Sequence, residues 1–83
     1  MKVTVEKRRT RTILLDTVDK VKEFVQRTSK FMYDVQVVSG RFIVDGRSIL
    51  GIMSLDLSKP VVLNVDERDS EAADVLLKKF YVR

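Results

Sequence analysis

Several chemically reactive residue types are missing from this 83-residue sequence. It contains no histidine, no cysteine and no tryptophan, and it has only one proline. The absence of cysteine excludes disulfides and thiol nucleophiles, and the absence of both cysteine and histidine removes the usual donors of a zinc site. The three glycines do not form a glycine-rich phosphate loop. We therefore expect no metal, no other cofactor and no catalytic residue, so the protein is not predicted to be an enzyme.

Long hydrophobic runs are missing as well. No apolar stretch approaches the roughly 20 residues that a membrane-spanning helix requires. The N-terminus alternates Val3 and Val5 with polar residues, unlike the apolar core of a signal peptide. We expect a cytoplasmic protein that does not insert into membranes. The formal net charge of +4 is modest, so it permits an acidic partner without requiring one.

The first third of the sequence predicts a strand followed by a helix. Residues 1–6 alternate apolar and polar side chains, as a short strand does, whereas residues 7–12 are highly charged and suggest a basic strand end or loop. Asp16 or Thr17 is placed to cap a helix with Asp19 in its first turn, and the helix should end near Ser29. Its predicted apolar face consists of Val18, Val21, Phe24, Val25 and Thr28.

The remaining two thirds predict three strands and two helices. Residues 35–38 and 42–44 are β-branched runs separated by Ser39-Gly40, a typical hairpin turn. Residues 49–55 form a short helix, residues 61–65 a strand, and a last helix is capped by Asp69 or Ser70. The inward residues of that last helix are Ala73, Leu76, Leu77 and Phe80. The order β-α-β-β-α-β-α over residues 1–83 predicts one α+β domain, an open-faced sandwich of a four-stranded antiparallel sheet with helices on one face.

One nine-residue segment carries a specific resemblance. Residues 47–55 read R-S-I-L-G-I-M-S-L and resemble the K-S-I-M-G-V-M-S-L signature of HPr, the phosphocarrier family of the bacterial sugar phosphotransferase system. Residues 69–74, acidic and alanine-rich, are similar to the start of that family's last helix. The resemblance extends over about residues 16–80, and it implies the HPr open-faced sandwich fold.

The resemblance also locates a degenerate phosphocarrier site. Where HPr has its phosphorylated histidine this chain has Thr17, and Asp19 replaces the arginine that steadies the phosphate. Asp16 and Asp19 place negative charge where a phosphate would lie, and like charges at 4 to 6 Å cost on the order of one to a few kcal/mol. The resemblance therefore implies an HPr body without phosphocarrier chemistry, and plain helix capping is the favoured explanation of Asp16, Thr17 and Asp19.

Two interpretations of Ser48 stay open. In HPr proteins of Gram-positive bacteria, the serine at this position is phosphorylated by a dedicated kinase, and the phosphoprotein then binds a transcriptional regulator. Arg47 stands next to Ser48 and would contribute to binding such a phosphate. Alternatively, Ser48 is only the cap of a short helix.

The short helix that follows also has two interpretations. In the family, the equivalents of Ile49, Leu50 and Met53 form a docking surface for partner proteins. We expect Leu50 and Met53 to be exposed and Ile52 and Val44 to be buried. If the helix is apolar on both faces, its outer face is a partner surface; otherwise these residues pack in the core. The implied partner is a kinase or a transcriptional regulator of the HPr type.

A basic stretch of the sequence suggests an alternative function, the binding of an acidic partner. The cations Lys7, Arg8, Arg9 and Arg11 lie within five residues and have no counterpart in the HPr pattern. They could bind an acidic protein, or simply be solvated. Nucleic acid is disfavoured, because no aromatic residue is interleaved for base stacking and no reading motif is present. Nothing in the sequence sets the oligomeric state.

Overall fold

The computed structural model describes residues 7–82, which form four strands and three helices. The elements are β1 (Arg8–Ile13), α1 (Val18–Thr28), β2 (Val35–Ser39), β3 (Phe42–Asp45), α2 (Ile49–Met53), β4 (Val61–Asp66) and α3 (Ser70–Leu76), with 3₁₀ turns at Glu67–Asp69 and Lys78–Phe80. The strands form one antiparallel sheet in the order β1-β4-β2-β3. The predicted α+β open-faced sandwich is confirmed. Within residues 7–82, no helix is both long and apolar enough to cross a membrane.

The position of strand β1 differs from the sequence-based prediction. The strand predicted at residues 1–6 lies outside the described residues, and the charged segment interpreted as a strand end or loop is itself the strand. It pairs with β4 in a continuous register from Arg8↔Asp66 to Ile13↔Val61. Because β1 is an edge strand, its long charged side chains reach water past the rim of the sheet, and the position tolerates them.

The core lies between one face of the sheet and the helices. On β4 the alternating residues Val61, Leu63 and Val65 are buried, as the period-two pattern predicts. The helices and the C-terminal turn contribute the rest of the hydrophobic layer: Val21, Phe24, Ile52, Ala73, Leu77 and Phe80. The rings of Phe24 and Phe80 meet edge to face with their centroids 5.7 Å apart, which joins α1 to the C-terminal turn.

Four predicted core residues are more exposed than expected. Val25, on the predicted apolar face of α1, is half-buried. Val18 is 52% exposed, because it opens α1 one turn before the buried Val21. Val44 is half-buried, since β3 is an edge strand that has no neighbour on its outer side within residues 7–82. Leu76 is also half-buried, and α3 ends there.

The predicted N-caps at Thr17 and Ser48 are present in the structure, and the one at Asp69 is not. The Oγ1 atom of Thr17 accepts a hydrogen bond from the Lys20 amide at 3.1 Å, and the Oγ atom of Ser48 accepts one from the Gly51 amide at 3.0 Å. Both residues are therefore N-caps. Asp69 precedes α3 but makes no side-chain cap; its carboxylate instead accepts from the Tyr33 amide at 2.9 Å.

Candidate protein-binding surface on the short helix

Helix α2 has one buried side and one open side. Ile52 is completely buried, whereas Leu50 is 84% exposed and Ile49 and Met53 are each 43% exposed. Ile49 and Met53 are four residues apart and so lie on one face of the helix, with Leu50 beside them. We call Ile49, Leu50 and Met53 the α2 patch. The expectation that Leu50 is exposed and Ile52 buried is confirmed by this geometry.

The inner side of α2 is held against the β2–β3 hairpin. A Cβ atom added to Gly51 would lie 3.3 Å from the Cβ of Val44, so the helix approaches β3 closely at that residue. Gly46, just after β3, donates its amide to the Val35 carbonyl at 2.8 Å, and the carbonyl of Gly46 accepts from the buried Thr28 hydroxyl at 2.8 Å. These bonds hold the segment that leads into α2, and the helix itself contacts α1 and β3, which leaves the α2 patch facing outward.

The sequence suggested that the Arg47 side chain is available to a phosphate on Ser48, but in the structure this side chain is bonded elsewhere. Its Nη2 atom donates to the carbonyls of Phe31 and Tyr33, both at 2.7 Å. The same loop is held from its amide side by Asp69, which accepts from Tyr33. Arg47 is therefore a brace for the loop between α1 and β2. Sequence reasoning missed this brace, because its partners are backbone atoms 14 and 16 residues away.

The start of α1 carries less uncompensated negative charge than the sequence suggested. The Lys20 ammonium lies 2.8 Å from an oxygen of Asp16, and this hydrogen bond lowers the pKa of Asp16. Asp19 is exposed and has no ion-pair partner among residues 7–82. The Thr17 oxygen is occupied as the cap acceptor. The residual charge at this helix end is thus that of Asp19, and Thr17 has a structural role.

The basic stretch is largely paired with carboxylates of the same chain. Arg9 lies 2.8 Å from Glu67, Arg11 lies 3.6 Å from Asp74, and Arg8 lies 3.5 Å from Asp34. Arg8 also donates to the Asn64 side chain at 2.8 Å. Lys7 is exposed. The ion pairs lie along β1, so Arg8, Arg9 and Arg11 belong to an edge strand, where the sequence had suggested a strand end or a loop.

Arg11 also contacts the C-terminal segment. Its guanidinium lies 5.9 Å from the ring centroid of Tyr81, whose hydroxyl donates to Asp74 at 2.8 Å. Burial and the neighbouring Asp74 carboxylate together raise the pKa of Tyr81. Arg11, Asp74 and Tyr81 therefore form one polar cluster that links β1, α3 and the end of the chain.

The two predicted surfaces lie at opposite ends of the sheet. The cations of β1 occupy one edge, whereas α2 contacts β3 at the other edge. The three residues of the α2 patch lie close together, as the sequence suggested, but the patch is not adjacent to the basic stretch. Among residues 7–82, no three metal-ligating side chains gather into a group that could hold a metal ion.

Comparisons with known proteins agree with this architecture. The PTS-HPr family model, described as "PTS HPr component phosphorylation site", matches residues 19–80, starting two residues after Thr17. HPr-C-His from Thermoanaerobacter tengcongensis is 30% identical, with a TM-score of 0.69 over 89% of this chain and 90% of that chain. The phosphocarrier protein HPr from Bacillus anthracis str. Ames is 21% identical and shares the fold, with a TM-score of 0.70 over 93% of this chain and 99% of that chain. No curated protein matches the chain. Because the family model covers most of the sequence, this chain belongs to the HPr family of the phosphotransferase system.

Proposed function

We propose that this HPr-family chain has lost phosphocarrier chemistry and binds a partner protein through the α2 patch. The observation that carries the proposal is the exposure of Leu50, 84%, beside Ile49 and Met53 on a helix whose inner residue Ile52 is fully buried. The fold requires Ile52 for its core but gains no burial from Leu50. Grouped exposed apolar side chains are typical of a protein-binding surface. We propose that the chain acts as a single domain of residues 1–83 in the cytoplasm.

The residues present support the proposed loss of carrier chemistry. Phosphoryl relay in this family requires a phosphohistidine, and the sequence contains no histidine. Thr17 is a poor substitute, because a threonine phosphoester is too stable to pass its phosphate on. The nearby Asp19 carboxylate adds charge of the wrong sign for a phosphate.

A phosphorylation assay tests this part of the proposal. The protein is incubated with phosphoenolpyruvate and the general phosphotransferase enzyme, with a histidine-containing HPr as the positive control. We expect no acid-labile phosphate on this chain. A stoichiometric acid-labile phosphate would show that carrier chemistry is retained at a residue other than histidine.

The proposed partner is a kinase or a transcriptional regulator of the HPr type. Ser48 precedes the α2 patch directly, and its side chain is only half-buried. We propose that Ser48 is the site of regulatory phosphorylation. Support comes from its position at the start of α2, where the Gly51 amide already contacts its oxygen at 3.0 Å. Arg47 uses its Nη2 atom to bond the 31–33 loop, which leaves its other guanidinium nitrogens for a phosphate.

The modification and the binding are tested separately. An HPr-type serine kinase should add one acid-stable phosphate that Ser48→Ala abolishes; modification at Ser54 or Ser58 instead would contradict the assignment. Binding of the modified protein to a purified HPr-type regulator is then measured for the wild type, Leu50→Asp and Val75→Asp. Val75 is 77% exposed on α3, so its variant is the matched control. Equal binding of all three proteins would overturn the role of the α2 patch.

We do not extend the proposal to the basic stretch. Arg8, Arg9 and Arg11 already face Asp34, Glu67 and Asp74, which weakens their attraction for an acidic protein or a nucleic acid. Binding through Lys7 and these arginines stays a prediction of the sequence. A binding that falls steeply with added salt would support it.

A further inference from the structure

The two edges of the sheet are protected to different degrees. Along the outer side of β1, the Leu14 amide donates to the Phe80 carbonyl and the Val82 amide donates to the Thr12 carbonyl, both at 2.9 Å. An antiparallel bridge joins Ile13 to Tyr81. The end of the chain therefore covers part of the β1 edge, and the charged arginines of β1 discourage further strand pairing there.

Among residues 7–82, no segment covers the β3 edge, and the charged residue of this short strand is Asp45 at its end. Phe42 is 65% exposed and Ile43 is 61% exposed. The strand Phe42–Asp45 contains no lysine or proline, and its pairing with β2 runs without a bulge. Natural sheets use such devices to prevent edge pairing. No helix or loop supplies a backbone hydrogen bond to Ile43 among residues 7–82.

The direction of the unpaired backbone groups follows from the hairpin. The Gly46 amide bonds to Val35 on β2, and backbone groups alternate in direction along a strand. Val44 and Phe42 therefore also direct their amides and carbonyls to β2, whereas Ile43 and Asp45 direct theirs outward. The outward Asp45 carbonyl also accepts from the Ser48 amide at 3.1 Å, but both outward groups of Ile43 are available.

We propose that β3 pairs antiparallel with β3 of a second copy of this chain, about a two-fold axis at Ile43. The strand and its preceding residue read Arg41-Phe42-Ile43-Val44-Asp45. When Ile43 is opposite Ile43 of the second copy, Asp45 of each chain lies next to Arg41 of the other, which is the turn residue directly before β3. On the other face, Phe42 is opposite Val44. The segment is thus complementary to itself, as a two-fold interface requires, and it would join two four-stranded sheets into one.

The charges select this register over its neighbours. Among residues 7–82, Arg41 has no hydrogen-bond or ion-pair partner. Asp45 uses one carboxylate oxygen to accept from the Arg47 amide at 2.8 Å, and the other oxygen is available. Directly opposite charges in an antiparallel pair stabilise it, and like charges destabilise it. A shift of two residues in either direction would place one of the two charged residues opposite Ile43, and these directly opposed charge pairs would be lost.

Analytical ultracentrifugation of the full chain tests the dimer. An interface of one strand pair is small, so we expect a dissociation constant between about 1 µM and about 1 mM. The wild-type mass should double over this range. Ile43→Lys places two ammonium groups on the axis and should weaken association at least tenfold. Val75→Lys, at an equally exposed valine on α3, should dimerise as the wild type does; circular dichroism checks that each variant is folded.

Mixing charge variants tests the register. Arg41→Glu alone opposes two acids across the axis, and Asp45→Lys alone opposes two bases, so each variant should be monomeric. An equimolar mixture restores both opposite-charge pairs and should form a heterodimer. A wild-type protein that stays monomeric up to about 1 mM overturns the proposal. The β3 edge would then be available for pairing with a strand of another protein. A dimer that survives Ile43→Lys, or a mixture that stays monomeric, overturns it as well.

Discussion

At the scale of single residues, charged side chains bonded to backbone atoms position much of the candidate site. Arg47 bonds to two carbonyls of the loop between α1 and β2, and Asp69 bonds to an amide of the same loop. Neither role is visible in the sequence, where Arg47 is adjacent to Ser48 and Asp69 precedes a helix. The partners of both side chains are backbone atoms that are distant in sequence and come close only when the chain folds.

Asp66 is a third such residue, since it accepts from the Arg68 amide, and its bonds to Arg68 lead to a prediction about stability in acid. Its carboxylate is 4% exposed and accepts from the Arg68 guanidinium at 2.7 and 2.9 Å. The bonds from the Arg68 side chain and amide hold the pKa of Asp66 far below its ordinary value of 3.8. Below pH 3.8 the unfolded chain therefore binds a proton that the folded chain does not, so this contribution to stability is present at neutral pH and is lost as the pH falls.

Urea unfolding at pH 7 and at pH 3 measures this effect. The wild-type free energy of unfolding should fall between the two pH values, and that of Asp66→Asn should fall less, because the titrating group is gone. Glu71→Gln changes an exposed carboxylate with no ion-pair partner among residues 7–82 and should keep the wild-type pH dependence. If Asp66→Asn also keeps it, the Arg68 bonds do not persist in solution.

At the scale of elements, α2 is the clearest case of a helix with separate structural and binding faces. Leu50→Asp should change the free energy of unfolding by less than about 0.5 kcal/mol, because the side chain is 84% exposed and the new charge stays in water. Ile52→Asp should lose more than about 3 kcal/mol, since Ile52 is completely buried and the carboxylate would have no partner there. Thermal or urea unfolding of the two variants measures the difference. A Leu50→Asp variant that fails to fold would place Leu50 in the core and remove the α2 patch.

The sequence predicted most elements correctly because their signals are local. The Ser39-Gly40 turn, the Thr17 and Ser48 caps and the alternation of Val61, Leu63 and Val65 all depend on residues close in sequence, and each is present in the structure. Gly40 has the positive φ of 59° that the first position of a tight hairpin turn requires. Strand β1 was missed because its arginines resemble a solvated loop until the partners Glu67 and Asp74, more than 55 residues later, are brought beside them.

At the scale of the whole molecule, the sheet order determines which surfaces are available. The order β1-β4-β2-β3 places both hydrophobic central strands inside and leaves β1 and β3 at the edges. The C-terminal segment returns to β1, whereas α2 lies beside β3. The covered edge is therefore basic and paired within the chain, and the open edge lies on the same side of the molecule as the α2 patch. A sequence pattern gives the strands but not their order, so this division of the surface could not be predicted from it.

The last prediction concerns residues 80–82, which cover part of the β1 edge. Val82→Pro removes the amide that donates to the Thr12 carbonyl at 2.9 Å, and Tyr81, at φ −67° and ψ 139°, already has the extended conformation that a following proline requires. We expect a loss of about 1 kcal/mol, or roughly 4 to 8 °C in the unfolding midpoint.

Val82→Ala keeps the amide and should stay close to the wild type, so the comparison isolates the hydrogen bond from the side chain. Amide exchange gives a second measurement. The Leu14 amide, which donates to Phe80 on the same covered edge, should exchange faster in Val82→Pro, because the segment that protects it is released. The amides of Val37 and Leu63, on the central strands, should be protected as in the wild type. Equal unfolding midpoints and equal Leu14 exchange in the proline and alanine variants would mean that the C-terminal segment does not hold β1, and both edges of the sheet would then be open to a partner strand.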